Sequence, residues 1–178
     1  MDSQAAMRGF LVCYDARMPI DIRPYGVSNK QGVGDLIVPI QQAEFGLPIT
    51  LEQQPDLLDI ENFYQNGAGN FWVACDGNDV VGTIALKDIG GRHAALRKMF
   101  VHKDYRGKER GVALQLLKTA RDWGREQKLA AIYLGTTPQF LAAHRFYEKN
   151  GFIEVAVHDL PPAFPVMHID KKFYRFDY

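Results

Sequence analysis

The sequence predicts a mixed α/β domain with a central, mostly antiparallel sheet of about six to seven strands and helices on both faces. The main observation is the order of elements, namely a strand, two helices, three strands, a helix, a strand, a helix and a final strand pair. The length of 178 residues fits one domain, and 47% hydrophobic residues can supply its core. Residues 1–18 match no element and are predicted to be an extension, so the domain spans 19–178.

The first half of the chain begins with a short strand and two helices. Ile20–Arg23 alternates apolar and polar residues, which is typical of a strand, and a proline and a glycine follow it. From Gly34 to Phe45 apolar residues recur at helical steps, so Pro39 must lie in the first turn of that helix or kink it. A second helix is predicted from Pro55 to Gln65, where two glycines end it.

Three strands follow, and two of them form a hairpin. Asn70–Cys75 and Asp79–Lys87 flank Asp76-Gly77-Asn78, a strong hairpin turn signal. The third strand is His93–Val101. Regular alternation along it would place Arg97 and Lys98 on opposite faces of the sheet.

The second half alternates helices and strands before the final strand pair. Thr137 is expected to cap a helix whose first residue is Pro138. In chain order the predicted elements are helix Gly111–Gln127, strand Ala131–Gly135, helix Pro138–Asn150, and strands Phe152–Val157 and Met167–Phe173 around a proline-rich loop.

Charge and cysteine content exclude several classes of protein. Lys plus Arg equals Asp plus Glu, 21 each, so the chain lacks the basic excess of a general nucleic-acid binder, although a local anion pocket is allowed. Cys13 and Cys75 have no metal-ligand spacing and are interpreted as free thiols in a reducing compartment. The five histidines also lack such spacing, so no metal is expected. With no signal peptide or membrane anchor evident at the start, we expect a cytoplasmic protein.

The segment Val101–Leu117, VHKDYRGKERGVALQLL, carries the strongest chemical signal. A strand ends, a basic turn with two glycines follows, and a helix begins near Gly111. Backbone amides at a helix N-terminus bind anions, and glycines let a ligand approach the backbone closely. Either this segment binds a phosphate or pyrophosphate, or it is a solvated basic turn that happens to precede a helix.

Three motifs in this order resemble the GNAT family of N-acetyltransferases. Gly111-Val112-Ala113, followed by Leu116-Leu117, is similar to the pyrophosphate loop Arg/Gln-x-x-Gly-x-Gly/Ala that binds coenzyme A in this family. Ala95–Val101, ALRKMFV, looks like the family's fourth strand, which pairs with the pantetheine arm. Ala143–Phe152, AHRFYEKNGF, looks like its late helix. The resemblance spans about Ile20 to the C-terminus and implies acetyl-CoA as cosubstrate.

The resemblance also implies roles for individual residues. Tyr147 matches the tyrosine that protonates the leaving thiolate in many members, although a helical stripe with Phe140 and Ala143 also fits a buried structural tyrosine. The expected cofactor contacts are the backbones of Met99, Phe100 and Val101 for pantetheine, and Arg106, Gly107, Lys108, Arg110, Gly111, Val112 and Ala113 for the pyrophosphate.

The sequence departs from the family pattern at three places. Lys108 stands where arginine or glutamine is usual. Ala95 occupies the position at which many members carry a glutamate base. Phe140 replaces an asparagine, whose polar contact Thr136 or Thr137 could supply.

The acceptor side is less defined by the sequence. Glu44 could bind an acceptor ammonium or take its proton, or it could be a surface carboxylate. Either Arg97 or Lys98 could line the acceptor cleft, or both could be solvated or salt-bridged.

The expected reaction is direct acetyl transfer from acetyl-CoA to a primary amine of a small molecule or peptide, within a ternary complex. The alternative is a coenzyme-A-binding sensor or interaction module without catalysis. A nucleotide phosphotransferase is disfavoured, because no Gly-x4-Gly-Lys-Ser/Thr loop is present. Family habit alone suggests a homodimer, and neither nucleic acid nor membrane is expected as a partner.

Overall fold

Seven strands form one sheet in the computed structural model, which describes residues 19–178. The predicted extension over residues 1–18, with Cys13, lies outside the described residues. The strand order is β1-β2-β3-β4-β5-β7-β6, and every pairing except β4–β5 is antiparallel. The strands are β1 Asp21–Pro24, β2 Asn70–Asp76, β3 Asp79–Asp88, β4 His93–Val101, β5 Ala131–Thr136, β6 Ile153–Val155 and β7 Lys172–Asp177.

Helices cover both faces of this sheet, as predicted. On the face that we call the α4 face, apolar side chains of α4 and α5 pack on the sheet. On the opposite α1 face, α1, α2 and α3 cover another cluster, and Phe164 covers a third near Ala95. The helices are α1 Lys30–Pro39, α2 Pro55–Leu58, α3 Ile60–Tyr64, α4 Val112–Glu126 and α5 Leu141–Lys149.

The first predicted helix begins earlier than expected, and Pro39 occupies its last position and not its first turn. Proline has no N–H and cannot continue the regular hydrogen-bond pattern. The chain continues as a π-helical turn, Ile40–Glu44, in which the Phe45 N–H donates to the Ile40 carbonyl at 3.2 Å. The ring of Phe45 lies 4.3 Å from that of Phe140, so the end of this segment touches the start of α5.

Three other predicted boundaries were wrong. The helix expected over Pro55–Gln65 is broken at Asp59, whose side chain accepts the Asn62 N–H and starts α3. Thr137 and Pro138 do not begin α5, which starts at Leu141 after a turn. The last strand starts at Lys172 instead of Met167, because Asp170 closes a turn by accepting the Met167 N–H at 3.2 Å.

The parallel pairing of β4 with β5 is short. Only His93–Ala95 pairs with Ala131–Tyr133, and both strands continue beyond these residues. We call the two unpaired continuations, β4 after Ala95 and β5 after Tyr133, the fork. Backbone groups on the inner edges of the fork have no ladder partner in each other, which leaves them free for a ligand.

Candidate active site

The predicted pyrophosphate loop ends at a left-handed glycine. Gly111 has φ +61 and immediately precedes α4, and its N–H donates to the Gly107 carbonyl at 3.1 Å. The first amides of α4, from Val112, Ala113 and Leu114, lack acceptors within the helix. Gly107 has φ +96, and no atom would touch a Cβ built there. The loop therefore offers free amides and close access at the positive end of a helix dipole.

The three cations of this loop differ in what they already contact. Arg106 is engaged, since its guanidinium forms two hydrogen bonds of 2.7 and 2.8 Å to the Glu44 carboxylate and one of 2.8 Å to the Val101 carbonyl. Arg110 stacks over the Tyr105 ring at 4.7 Å. Lys108 is exposed and has no ion-pair partner between residues 19 and 178. Lys108 and Arg110 are therefore the cations free to meet a phosphate.

Glu44 lies at the end of the π-helical turn, where it faces Arg106. The hydrogen bonds from Arg106 lower the pKa of the Glu44 carboxyl below its usual range. Arg106 was predicted to contact the pyrophosphate, and Glu44 either to contact the acceptor amine or to be a surface carboxylate; in the structure the two side chains pair with each other. A carboxylate held in this way is a weak proton acceptor.

A β-bulge interrupts β4 at the residues predicted to meet pantetheine. Thr83 pairs with Phe100 and Ala85 with Arg97, so Lys98 and Met99 together face a single residue of β3. Lys98 has φ +52, and its carbonyl accepts the Thr83 hydroxyl at 2.7 Å. The bulge turns the following backbone, Met99 to Val101, along the inner edge of the fork.

The bulge also makes the expectation for Arg97 and Lys98 wrong, because both side chains lie on the α1 face. Lys98 donates to Gln54 Oε1 at 2.8 Å and pairs with Asp56 Oδ2 at 3.1 Å. Arg97 follows Ala95 on the same face and reaches Met167 Sδ at 3.6 Å. An extra residue in the strand cancels the alternation on which the sequence prediction depended.

Lys98 and Asp56 belong to a buried polar cluster that the sequence did not indicate. Both side chains are only 9% exposed, and the Tyr64 hydroxyl donates to Asp56 Oδ2 at 2.6 Å. Gln54 also exchanges hydrogen bonds with Gln41, at 2.8 and 3.1 Å. Burial lowers the pKa of the Lys98 ammonium, while Asp56 opposes that change. The cluster ties the bulge of β4 to the π-helical turn, to α2 and to α3.

Ala95, which stands at the position of the family's glutamate, is fully buried. It packs with Ala131, Tyr133, Phe164 and Phe173. An ionised carboxylate would be costly in this apolar surrounding without a partner. The described fold therefore has no side-chain base at this position.

Tyr147 lies on α5 with its ring in the α4-face cluster, packed on Phe152 at 5.5 Å and on Tyr174. The residue is 6% exposed, and burial raises the pKa of its phenol. No hydrogen bond or charge within residues 19–178 adds to that shift. At neutral pH the phenol is a protonated donor, which suits either role predicted for it.

Thr137, which directly follows β5, has a hydroxyl without a hydrogen-bond partner among residues 19–178. Its Oγ1 is the one buried side-chain oxygen or nitrogen in the described part of the chain that forms no hydrogen bond. The Thr137 carbonyl, by contrast, accepts from His144 Nε2 at 2.8 Å and from the Phe140 N–H. A buried hydroxyl without a hydrogen-bond partner lowers the stability of the fold unless a ligand supplies that partner. Together with the open glycine at 107, it fits a polar, phosphate-bearing ligand along α4, the fork and α5.

Other classes of site find no support in the described residues. Between residues 19 and 178 no group of three or more His, Cys, Asp or Glu side chains is placed to hold a metal ion. Within the same range, no helix combines the length and the apolar character needed to span a bilayer. Cys75 is a buried free thiol.

The fork, with a helix N-terminus suited to phosphate binding beside it, is the architecture of an acyltransferase. Comparisons with known proteins support this class. Residues 36–152 match the family model described as the acetyltransferase (GNAT) family. This chain belongs to that family.

This chain is similar to proteins with assigned names and to proteins of known structure. A Xenopus tropicalis N-acetylaspartate synthetase is 34% identical over 127 residues, which are 69% of this chain and 46% of that protein. The chain thus matches less than half the length of this curated relative. A GNAT-family acetyltransferase structure from Staphylococcus aureus MU50 is 39% identical, with a TM-score of 0.83, and the match covers 89% of this chain and 98% of that one.

A third likeness concerns the fold alone. The PaiA N-acetyltransferase of Thermoplasma acidophilum, solved in complex with coenzyme A, is 17% identical with a TM-score of 0.69. That match covers 90% of this chain and all of the other, 100%. The predicted family and the predicted mixed α/β fold are both confirmed.

Proposed function

We propose that the protein transfers the acetyl group of acetyl-CoA to a primary amine of a small molecule or peptide, by direct attack within a ternary complex. Three observations carry this proposal, namely the free amides of the first turn of α4 after Gly111, the unpaired inner edge of β4, and the hydroxyl of Thr137 without a hydrogen-bond partner. Acetyl-CoA supplies an activated acetyl thioester.

The loop residues support binding of the pyrophosphate. The amides of Val112, Ala113 and Leu114 have no acceptor within the helix, and Lys108 and Arg110 add positive charge. Gly107 leaves room for the ligand. Arg106 acts indirectly in this proposal, because its contacts to Glu44 and to the Val101 carbonyl brace the loop against the π-helical turn.

The fork supports orientation of the acyl group. Backbone groups of Met99, Phe100 and Val101 are proposed to bind the pantetheine amides and to polarise the thioester carbonyl. The bulge at Lys98 fixes their direction, and Thr83 and the buried cluster hold the bulge in place. Tyr147 is proposed to donate a proton to the leaving sulfur, since its pKa is raised and its hydroxyl is uncommitted.

A small-molecule acceptor is favoured over a protein tail. The relatives named N-acetylaspartate synthetase act on a small amine by name, and the chain is neutral overall. Cytoplasmic location and a homodimer stay predictions.

Isothermal titration with acetyl-CoA and thiol release over a panel of amines test the proposal together. We expect saturable binding and thiol release that depends on an acceptor. Tyr147→Phe should lower kcat by about 10²-fold, the lower bound for loss of a general acid, with the Kd for acetyl-CoA unchanged. Tight binding with no transfer to any amine would instead favour the non-catalytic coenzyme-A module, for which the buried Ala95 is the supporting observation.

A further inference from the structure

Two charged groups face each other across the fork on the α1 face. Ala95 and Tyr133 form the last pair between β4 and β5, and both lie on the α1 face. Two residues further along each strand stand Arg97 and Gly135, on the same face by alternation. Because the strands diverge after Ala95 and Tyr133, these two positions lie on opposite arms of the fork.

The position of Gly135 is filled by the side chain of Asp170. A Cβ built on Gly135 would stand 2.6 Å from Asp170 Cγ, so only glycine leaves room for this carboxylate against β5. The φ of Gly135 is not in the left-handed region, and space is therefore the reason for the glycine. The turn that carries Asp170 also contacts the other arm, since Met167 Sδ accepts from Arg97 Nη2 at 3.6 Å.

Neither charge is neutralised by an ion pair within residues 19–178. Lys98, the neighbour of Arg97, is paired with Asp56, but the one side-chain hydrogen bond of Arg97 within the described residues goes to a thioether sulfur. Asp170 accepts a backbone N–H from Met167 and is partly buried. Burial raises the pKa of the Asp170 carboxyl, and the two cations that face it, Arg97 and Lys171, oppose that change.

We propose that the acceptor carries a carboxylate as well as its amine, as an α-amino acid does, and that Arg97 binds the carboxylate while Asp170 binds the ammonium. The proposal rests on the proposed function. A planar guanidinium binds a carboxylate through two parallel hydrogen bonds, and a carboxylate accepts strong hydrogen bonds from an ammonium. The zwitterion would give each of the two groups an ion-pair partner at hydrogen-bond distance, which neither has within residues 19–178.

Asp170 also takes the place of the base that is missing at Ala95. One proton passes from the acceptor ammonium to the Asp170 carboxylate, and the freed nitrogen lone pair forms a bond to the acetyl carbon as the C–S bond breaks. Tyr147 gives its proton to the thiolate, and the second N–H proton of the acceptor restores Tyr147. Asp170 then releases its proton to solvent, so the overall reaction yields the amide, the free thiol and one proton.

The test for Arg97 compares amino acids with their carboxamides as acceptors, by thiol release with purified protein. We expect the wild type to prefer the amino acid at least tenfold in kcat/KM. Arg97→Met should remove that preference by raising KM for the amino acid, while KM for acetyl-CoA stays within twofold. Arg125→Met, on the last turn of α4 and paired with Asp122, is the matched control and should change neither value.

The test for Asp170 uses pH. Asp170→Asn should lower kcat about 10²-fold and remove the acid limb of the profile of kcat/KM against pH, with the Kd for acetyl-CoA unchanged. A raised carboxyl pKa stabilises the fold below the unfolded value and loses this contribution as pH rises, so the Asn variant should be at least as stable at neutral pH. Gly135→Ala displaces the carboxylate without removing it and should reproduce the kinetic loss.

Three results distinguish failure of the amino-acid acceptor proposal from failure of the proposed acetyltransferase function. Equal use of amino acids and carboxamides by the wild type, or an unchanged pH profile in Asp170→Asn, overturns this inference and leaves the proposed function standing. A wild type that neither binds acetyl-CoA nor acetylates any amine defeats the proposed function, and this inference with it.

Discussion

The loop that begins α4 and the α1 face of the fork are built in different ways. The loop is continuous in sequence, from Val101 to Ala113, and offers mainly backbone amides. The α1 face is assembled from side chains that lie far apart in the chain, such as Lys98 with Asp56 and Asp170 over Gly135. A ligand shared by a whole family can be bound by backbone, whereas a ligand particular to one member needs side chains.

The comparison predicts that the α1 face is the more fragile of the two regions. Lys98→Met should cost about 3 kcal/mol in the free energy of unfolding, because Asp56 would remain buried and charged without its partner. Urea unfolding measures the loss. Adding Asp56→Asn should restore much of it, since Asn can still accept from Tyr64 without a charge. If the Lys98→Met protein is as stable as the wild type, the buried cluster does not hold the bulge in place.

A second prediction separates backbone geometry from ligand binding in the loop. Gly111→Val forces a β-branched residue to φ +61 and should cost about 1–2 kcal/mol in stability, with at least tenfold weaker acetyl-CoA binding. Gly77→Val is the matched control, since Gly77 has φ +59 in the β2–β3 turn and also has free space around it. Unfolding and titration should show similar destabilisation in both variants but weaker binding only in the first.

The third prediction concerns the Thr137 hydroxyl, which has no hydrogen-bond partner in the described residues. Thr137→Val removes a buried oxygen that has no partner in the described structure, so the ligand-free protein should be equally or more stable. If the hydroxyl bonds the cosubstrate, the Kd for acetyl-CoA should rise by up to about tenfold, the equivalent of one hydrogen bond. Thr137→Ser keeps the hydroxyl and should bind as the wild type does. Equal affinity of all three proteins would remove Thr137 from the site.

The smallest effect is expected where the two regions touch. The Glu44–Arg106 pair is 34% and 43% exposed, so its net contribution to stability is about 0–1 kcal/mol. Because the folded-state pKa of Glu44 is lowered, its contribution is present above the unfolded pKa and is lost as pH falls through the folded one. Glu44→Gln should therefore flatten the acid side of the stability profile slightly, measured by Tm against pH.

The same variant tests the catalytic role predicted for Glu44. Held by Arg106, the carboxylate is not expected to accept a proton from the acceptor, and kcat should change less than threefold. A loss of 10²-fold at constant stability would instead identify Glu44 as the general base, and it would count against Asp170.

Local elements were predictable where contiguous residues fix them. The β2–β3 hairpin, the start of α4 at Gly111 and the strand β5 agree with the sequence prediction within a residue or two. The predicted boundaries were wrong at Asp59, at Thr137 and before β7. Asp59 caps a new helix, Thr137 does not cap α5, and Asp170 closes a turn ahead of β7. Periodicity cannot show which of several polar side chains finds a backbone partner.

The sequence by itself determined the family, the mixed sheet and the loop at Gly111, because motif spacing, periodicity and glycine positions act over short stretches of chain. The tertiary structure alone decided that Glu44 pairs with Arg106, 62 residues away, and that Arg97 and Lys98 share a face. The first depends on how a π-helical turn meets the loop, and the second on a bulge set by the register with β3. Such contacts follow from the packing of whole elements, which no local pattern encodes.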